Sequence, residues 1–173
     1  MKGVIAICLG ELVKEKFGTE NWERILEMSG LDPKTEFLAF QDIDDDAIMN
    51  VLDSTCKVLK ISMSQAADAF GAYWVNVYAP KMYKIYYRNI KDAKEFIIKM
   101  DEVHDKVTKS MKNAKPPRFQ FEEPDEKTLI VNYRSHRGLI DIYIGLVKGV
   151  GIYFNENLRI TKIGATKVKI TFS

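Results

Sequence analysis

The spacing of apolar residues changes at Pro116-Pro117, and this change limits the possible folds more than any other feature of the sequence. Before the two prolines, apolar side chains recur every three or four residues, as they do on one face of a helix. After them, Phe119 and Phe121 alternate with polar residues, and a second alternating stretch covers residues 129–135. Helices followed by mostly antiparallel strands predict an α+β fold.

Capping residues and breakers predict where the helices and the last strands lie. The apolar periodicity predicts helices over residues 1–17, 21–28, 94–111 and 139–154. The last of them is apolar nearly all round, which predicts burial. Ser62 and Gln65 have the spacing of a capping box at the start of another helix, and two strands are predicted around Gly164. The aspartate run 42–46 suits the start of a helix, whereas a calcium loop would require a Gly and a closing Glu that are missing.

Composition narrows the class of protein. The 173 residues carry 26 Lys and Arg against 24 Asp and Glu, a balance that argues against a nucleic-acid partner. No apolar run approaches the ~20 residues of a membrane span, and the first residues do not form a signal peptide. Cys8 and Cys56 are too few for a disulfide framework. These features predict a cytoplasmic protein without a membrane span.

His104, one of two histidines, lies within the apolar stripe of the helix predicted over 94–111. A single histidine on such a stripe is more often a hydrogen-bonded core residue than a metal ligand. An enzyme would use His104 as a general base beside Asp101 or Asp105. Both acids lie off the stripe, and no serine or cysteine nucleophile occurs in a recognisable setting.

Tyr133, Ser135 and Arg137 alternate after the prolines. If the strand continues past Ser135, their phenol, hydroxyl and guanidinium share one face that begins as an apolar face. Donors buried there without acceptors cost about 1–3 kcal/mol each, so a carboxylate-bearing ligand is favoured. An acid of the chain, such as Asp45, is the alternative partner for Arg137. A pure interaction module, in which the buried donors satisfy one another, is a further alternative.

These residues together give a resemblance to a known family. The Tyr133-x-Ser135-x-Arg137 pattern, the Asp-Glu-Val-His run that ends in His104, and Pro117 after a second proline resemble the H-NOX (haem nitric oxide/oxygen binding) family, which includes the sensor domain of soluble guanylate cyclase. The resemblance covers essentially the whole chain. It implies one haem-binding sensor domain over 1–173, with an N-terminal helical subdomain, a C-terminal subdomain in which helices pack on a mostly antiparallel sheet, and the haem between them.

The resemblance also implies roles for particular residues. His104 is expected to bind the iron of a non-covalent haem b, and Tyr133, Ser135 and Arg137 to bind its propionates. Pro117 is expected to press on the porphyrin and bend it. Asp45 matches the family aspartate that pairs with the arginine. The residues expected to line the distal pocket are Ile5, Leu9, Trp74, Tyr78, Ile142 and Leu146.

Ile142 stands where oxygen-binding members of the family have a tyrosine. Bound oxygen carries partial negative charge and benefits from a donor, which nitric oxide and carbon monoxide need much less. We therefore expect a nitric oxide sensor that also binds carbon monoxide and excludes oxygen. The alternative is an oxygen sensor that uses another tyrosine, Tyr78 or Tyr143.

The family resemblance implies a sensor rather than an enzyme. It predicts that binding of nitric oxide weakens the iron–His104 bond and so changes the conformation of the protein. The sequence contains no kinase, cyclase or methyl-accepting segment. By family analogy, the signal is expected to reach a histidine kinase, a cyclic-di-GMP enzyme or a fused chemotaxis receptor.

Overall fold

The computed structural model describes residues 1–109 and 111–173, which form two compact units, Met1–Ala66 and Ala67–Ser173. The prediction of a single domain over 1–173 stays a prediction. None of the helices in the described residues is long and apolar enough to cross a membrane.

The first unit is helical. Its helices are α1 (Val4–Phe17), α2 (Thr19–Met28) and α3 (Asp45–Leu59). Gly18 separates α1 from α2 with φ of +91°, a conformation that glycine adopts at little cost. The Trp22 ring packs so closely against Gly10 that an added Cβ there would lie 3.0 Å from it. Asp44 caps α3 by accepting from the Asp46 N–H at 2.8 Å, which confirms the capping interpretation of the aspartate run.

A turn in the first unit is held against the start of α1. The Gly3 N–H donates to the Gln41 carbonyl at 2.9 Å, and the Val4 N–H to the Ala39 carbonyl at 3.1 Å. The Asp45 carboxylate accepts from the Met1 amino group at 2.7 Å. This arrangement fixes residues 38–45 and the first turn of α1 to each other.

Helix α4 (Met63–Tyr73) starts with the predicted capping box. The Ser62 N–H donates to Gln65 Oε1 at 2.9 Å, and the Gln65 N–H donates to Ser62 Oγ at 3.2 Å. The helix then widens into a π-helical segment, Trp74–Tyr78, before α5 (Ala79–Met82). Pro80 explains the widening, because it has no N–H to donate to the carbonyl four residues earlier and its ring would clash there.

Helix α7 (Ile140–Phe154) crosses α4 at small residues. A Cβ added to Gly145 would lie 2.0 Å from the Ala67 carbonyl oxygen, and one added to Gly71 would lie 2.1 Å from the Gly145 backbone. Two further contacts join the same helices or their continuation: Lys148 Nζ donates to the Asp68 carboxylate at 2.6 and 2.8 Å, and Asn76 Nδ2 to the Gly149 carbonyl at 3.0 Å.

The second unit also contains one antiparallel sheet, in the order β1-β2-β4-β3. Its strands are β1 (Arg118–Asp125), β2 (Thr128–Arg134), β3 (Arg159–Ile163) and β4 (Lys167–Thr171). Leu129, Val131 and Ile170 are fully buried in the core of this unit, together with Val147 of α7. Helix α6 (Ala93–Thr108) adds Phe96 and Ile97 to that core. The helices and the antiparallel sheet confirm the predicted α+β class.

Two predicted ends of elements were wrong, and so was part of one predicted burial. Strand β2 ends at Arg134 because Ser135 and Arg137 form a turn, in which the Arg137 N–H donates to Ser135 Oγ, followed by Gly138 with φ of +64°. Helix α6 ends at Thr108 rather than Met111, and Ser110 lies outside the described residues. Helix α7 is buried over most of its length, but Ile152 near its end is 63% exposed.

Candidate functional site

His104 is a neutral imidazole, and one of its two ring nitrogens contacts a backbone carbonyl. Its Nδ1 lies 3.4 Å from the Pro117 carbonyl oxygen, and a carbonyl only accepts, so Nδ1 carries the proton. Burial lowers the pKa of His104, while the Pro117 contact and the Asp101 charge act in the opposite direction. In the described part of the chain, Nε2 makes no hydrogen bond. This nitrogen therefore has a lone pair available for a metal.

Asp101 fixes the position of the Pro117 carbonyl. Its carboxylate accepts from Arg118 Nε at 2.8 Å, from Arg118 Nη2 at 2.6 Å and from the Phe119 N–H at 2.8 Å. The hydrogen bond from Arg118 is the main reason that the pKa of Asp101 lies below its usual value; burial partly opposes this lowering. Three donors on one carboxylate tie the start of β1 to α6, one turn before His104.

The same geometry argues against the general-base alternative. Asp105 lies 3.4 Å from Arg118 Nη1, and Asp101 is fully engaged with Arg118 and Phe119. Among the residues that the structure describes, no hydrogen bond joins either carboxylate to His104. Asp101 was predicted only as a possible partner of His104, and its role in positioning the strand was missed. The Pro-Pro-Arg order after the helix was the available signal, because it places a guanidinium next to the carbonyl that faces His104.

Tyr133, Ser135 and Arg137 are brought together, although two of them lie in the turn after β2 and not on the strand. The Arg137 N–H donates to Ser135 Oγ at 3.3 Å, and Arg137 Nη1 donates to the Lys115 carbonyl at 2.7 Å. Burial raises the pKa of the Tyr133 phenol, and a hydrogen bond with Ser135 and the charge of Arg137 oppose this rise. The structure therefore brings the three donors together, and their binding of propionates stays a prediction.

Residues 115–119 connect this group to His104. The first residue of the segment accepts from Arg137, and the carbonyl of Pro117 faces His104. The Phe119 ring lies 5.5 Å from the His104 ring and 6.0 Å from the Tyr133 ring, measured between centroids. The segment 115–119 thus contacts both an available imidazole nitrogen and a cluster of donors suited to a carboxylate. Such a donor set fits a group that carries both a metal and carboxylates, as haem does.

Tyr143 has an unusual buried hydroxyl. Its ring stacks on Phe119 at 5.0 Å and lies 5.6 Å from Tyr133. Its hydroxyl has no hydrogen-bond partner within residues 1–109 and 111–173. Burial raises the pKa of Tyr143 strongly, so the phenol stays protonated and remains a donor.

The family model for haem-NO-binding domains matches residues 2–162. The chain belongs to this H-NOX family. Soluble guanylate cyclase gcy-34 of Caenorhabditis elegans is 28% identical over an alignment 173 residues long, which covers 96% of this chain and 25% of the relative. Soluble guanylate cyclase gcy-35 of the same organism is 28% identical over 163 residues, covering 90% of this chain and 24% of the relative. The chain thus spans about a quarter of the length of these curated relatives.

Solved H-NOX domains have the same fold. An oxygen-binding H-NOX domain related to soluble guanylate cyclases, in its oxygen complex, superimposes with a TM-score of 0.83 at 23% identity, covering 100% of this chain and 95% of that one. A Cs H-NOX mutant with 4-cyano-L-phenylalanine at site 5 gives 0.87 at 22% identity, covering 100% and 97%. At this identity the likeness supports the fold alone. H-NOX domains are haem-binding gas sensors and non-catalytic modules, and that is the class of this chain.

The residues that the resemblance assigns to the distal pocket lie in both units. In the second unit, Trp74 and Tyr78 stack at 5.4 Å between centroids on the π-helical segment. Helix α7 packs against that segment and carries Ile142 and Leu146, both half-buried. In the first unit, Ile5 and Leu9 lie one turn apart on α1. Whether these residues line one H-NOX pocket stays a prediction.

Proposed function

We propose that this H-NOX chain senses nitric oxide, and also binds carbon monoxide, at a ferrous haem b whose iron is held by His104 Nε2. The observation that carries the proposal is the His104–Pro117 contact. It places the proton on Nδ1, orients the ring and leaves Nε2 as a neutral ligand. The lowered pKa of His104 supports the same role, since only the neutral imidazole binds a metal.

Tyr133, Ser135 and Arg137 are proposed to bind the two propionates. A propionate is an acceptor for which a phenol, a hydroxyl and a guanidinium are suitable donors. The Lys115 carbonyl holds one arm of the Arg137 guanidinium at 2.7 Å, and the guanidinium has further N–H groups to offer a carboxylate. Pro117, half-buried between His104 and Arg118, is proposed as the residue that presses on the macrocycle.

The proposed signal begins at His104. A bound ferrous haem would supply an iron that binds nitric oxide, and His104 would be the protein ligand to that iron. If gas binding weakened the hold on His104, the imidazole would relax while its Nδ1–H keeps the Pro117 carbonyl. Because Asp101 ties α6 to the start of β1, relaxation at His104 is passed to both elements together. The result is a shift between two conformations of the sensor.

The preference for nitric oxide over oxygen rests on Ile142. An isoleucine offers no donor to a polar bound gas, and its half-buried position on α7 gives it bulk without polarity. Nitric oxide and carbon monoxide depend less on such a donor.

An oxygen sensor is the second candidate, because a specific observation favours it. The Tyr143 hydroxyl is buried, protonated and without a partner in the described residues, which is the state expected of a donor reserved for a ligand. Its ring, however, stacks with Phe119 and Tyr133, on the side of the fold where the propionate donors lie. Tyr78, buried against Trp74, is the other tyrosine to consider.

The deciding experiment is an absorption titration of the reduced, haem-loaded protein with nitric oxide, carbon monoxide and oxygen, begun without air. We expect Soret shifts with the first two gases and none that persists with oxygen. The Tyr143→Phe and Tyr78→Phe variants are titrated in parallel. A stable ferrous–oxygen spectrum that disappears in one of these variants would replace the nitric oxide proposal by the oxygen one.

The propionate assignment is tested by the rate of haem loss. Arg137→Ala removes a charge-assisted bond worth about 2 kcal/mol, so haem transfer to an apo-globin acceptor should be about 30-fold faster. Arg134→Ala is the matched control, because Arg134 is exposed at the end of β2. Equal haem loss from the two variants would remove Arg137 from the site.

We also propose that the sensor works in the cytoplasm and signals to another protein or fused domain. Both cysteines are free thiols, Cys8 buried and Cys56 half-buried, which suits a reducing compartment. A histidine kinase, a cyclic-di-GMP enzyme and a fused chemotaxis receptor are the candidate effectors. Co-purification and activity assays with each purified effector, with and without nitric oxide, distinguish them.

A further inference from the structure

The second unit has an exposed groove that the gas site does not use. It has a volume of about 640 Å³ and is lined by Val77, Pro80, Lys81, Lys84, Tyr87 and Tyr153, among others. Its size is that of a site for several side chains. The Tyr87 hydroxyl donates to the Val75 carbonyl at 3.0 Å, and its ring packs against Tyr153 at 5.1 Å between centroids, so the floor is fixed.

Large apolar side chains stand out around this groove. Met82 is 53% exposed and Ile85 is 68% exposed, and both are sequence neighbours of the groove lysines. Ile152 is 63% exposed next to Tyr153, itself 40% exposed. Exposed apolar side chains that cluster around a groove mark a site of protein interaction more often than a solvated surface.

The charged side chains among the described lining residues of the groove are positive. Lys81 and Lys84 line it, and the described lining residues include no acid. Both lysines are exposed, and neither forms an ion pair with a described residue. A partner that complements this surface therefore carries carboxylates beside its apolar anchors.

From these observations we infer that the groove is a docking site for an acidic, amphipathic helix of a separate signalling protein. The apolar anchors of that helix cover Met82, Ile85 and Tyr153, and its carboxylates pair with Lys81 and Lys84. An amphipathic helix in a groove presents anchors three or four residues apart. This spacing suits a surface formed by α5, the residues that follow it, and the end of α7.

The groove is attached to the proposed gas site through the π-helical segment. Val77 lines the groove, while Trp74 and Tyr78 of the same segment belong to the residues proposed for the distal pocket. Asn76, also in the groove lining, ties this segment to α7 through the Gly149 carbonyl. A displacement of Trp74 should therefore also move Val77, which lies in the same segment. This regulatory part of the inference rests on the proposed function.

The docking site is tested with a displayed library of random peptides of about 16 residues, selected on the ferrous, haem-loaded protein. We expect enriched peptides to carry Asp or Glu with apolar residues at helical spacing. They should bind the double variant Lys81→Glu/Lys84→Glu at least about tenfold more weakly than the wild type. Ile85→Ser, at an exposed position, should also weaken binding.

The matched control is Lys167→Glu/Lys169→Glu, which makes the same charge change on β4 and should bind like the wild type. Absence of enrichment, enrichment of basic peptides, or equal binding to the groove variant would overturn the docking site. A dimer that is lost in the groove variant would also overturn it, in favour of a second copy of this chain.

The regulatory part has its own readout. The affinity of an enriched peptide should change about fivefold or more when nitric oxide is added, which the same sample reports independently through its Soret band. A Soret shift without a change in affinity would leave the docking site standing and overturn its control by the gas. Peptide binding without any Soret shift would instead contradict the proposed function.

Discussion

The surroundings of His104 and the segment Trp74–Tyr78 differ in how much of their placement comes from packing. Directed polar contacts position His104: its own bond to Pro117, and the three bonds on Asp101 that fix the following strand. The segment Trp74–Tyr78 combines stacked rings with two backbone contacts, the Asn76 bond to the Gly149 carbonyl and the Tyr87 bond to the Val75 carbonyl, and it follows a helix crossing without side chains between the backbones. Directed bonds suit a site that must hold a ligand in one orientation. A segment held by packing, with a π-helical turn, suits a site that must yield when a ligand arrives.

The largest test of this comparison concerns His104. His104→Gly should lose haem, because it removes the imidazole nitrogen proposed to bind the iron, and free imidazole should restore it. The measurement is Soret absorbance per mole of protein with and without imidazole. His136→Gly is the control, since His136 is exposed in the turn after β2. Haem uptake by His104→Gly that is equal to the wild type without imidazole would refute the role of His104.

The helix crossing should be the site most sensitive to added bulk. Gly145→Ala places a Cβ 2.0 Å from the Ala67 carbonyl oxygen, where only backbone movement can make room. We expect a loss of about 3 kcal/mol in the free energy of unfolding. Gly164→Ala is the control: its Cβ meets open space, and its φ of +66° alone should cost about 1 kcal/mol. Urea unfolding of both variants measures the difference, and equal losses would contradict the close crossing.

The polar side of the comparison is tested at Asp101. Asp101→Asn weakens the bonds to Arg118 and Phe119 and should cost about 1.5 kcal/mol of stability at pH 7. Because the folded pKa of Asp101 is lowered, its contribution is present above the ordinary carboxyl pKa and is lost as the pH falls through the folded value. The gap between wild type and variant should therefore shrink below about pH 4. Asp105→Asn, with its single 3.4 Å contact, should have a smaller effect.

The smallest expected effect is a gain in stability. Tyr143→Phe removes a buried hydroxyl that has no partner in the described residues, and should raise the free energy of unfolding by about 1 kcal/mol. Tyr133→Phe, which loses a hydrogen bond with Ser135, should instead lower it. Thermal unfolding of the haem-free protein compares the two. A destabilised Tyr143→Phe variant would mean that the hydroxyl has a partner, for example a buried water.

The parts of the fold that sequence predicted well are those set by local chemistry. The capping box at Ser62, the aspartate cap at Asp44 and the change of period at Pro116-Pro117 each depend on neighbouring residues, and all three are confirmed. The π-helical turn was not predicted, because Pro80 inside an apolar helical pattern signals a kink or an end but does not specify how the backbone accommodates it.

The candidate site shows the same division. The grouping of Tyr133, Ser135 and Arg137 was anticipated, but through a strand that the structure ends at Arg134. The donors are brought together by the turn after the strand and not by the strand itself. The conformation of this turn depends on Gly138 and on the bond from the Arg137 N–H to Ser135 Oγ. The contact between Asp101 and Arg118 was not anticipated, because it joins a helix and a strand whose relative placement depends on tertiary packing.

The backbone contact between α4 and α7 limits how this protein can be re-engineered. Side chains at Ile142 and Leu146 are carried on a helix that cannot slide or tilt towards α4, since the two main chains already touch at Gly71 and Gly145. If Ile142 and Leu146 line the gas site as proposed, its preference must be changed through the length and polarity of individual side chains. A shift of α7 towards α4 would first require a different placement of the glycines at their crossing.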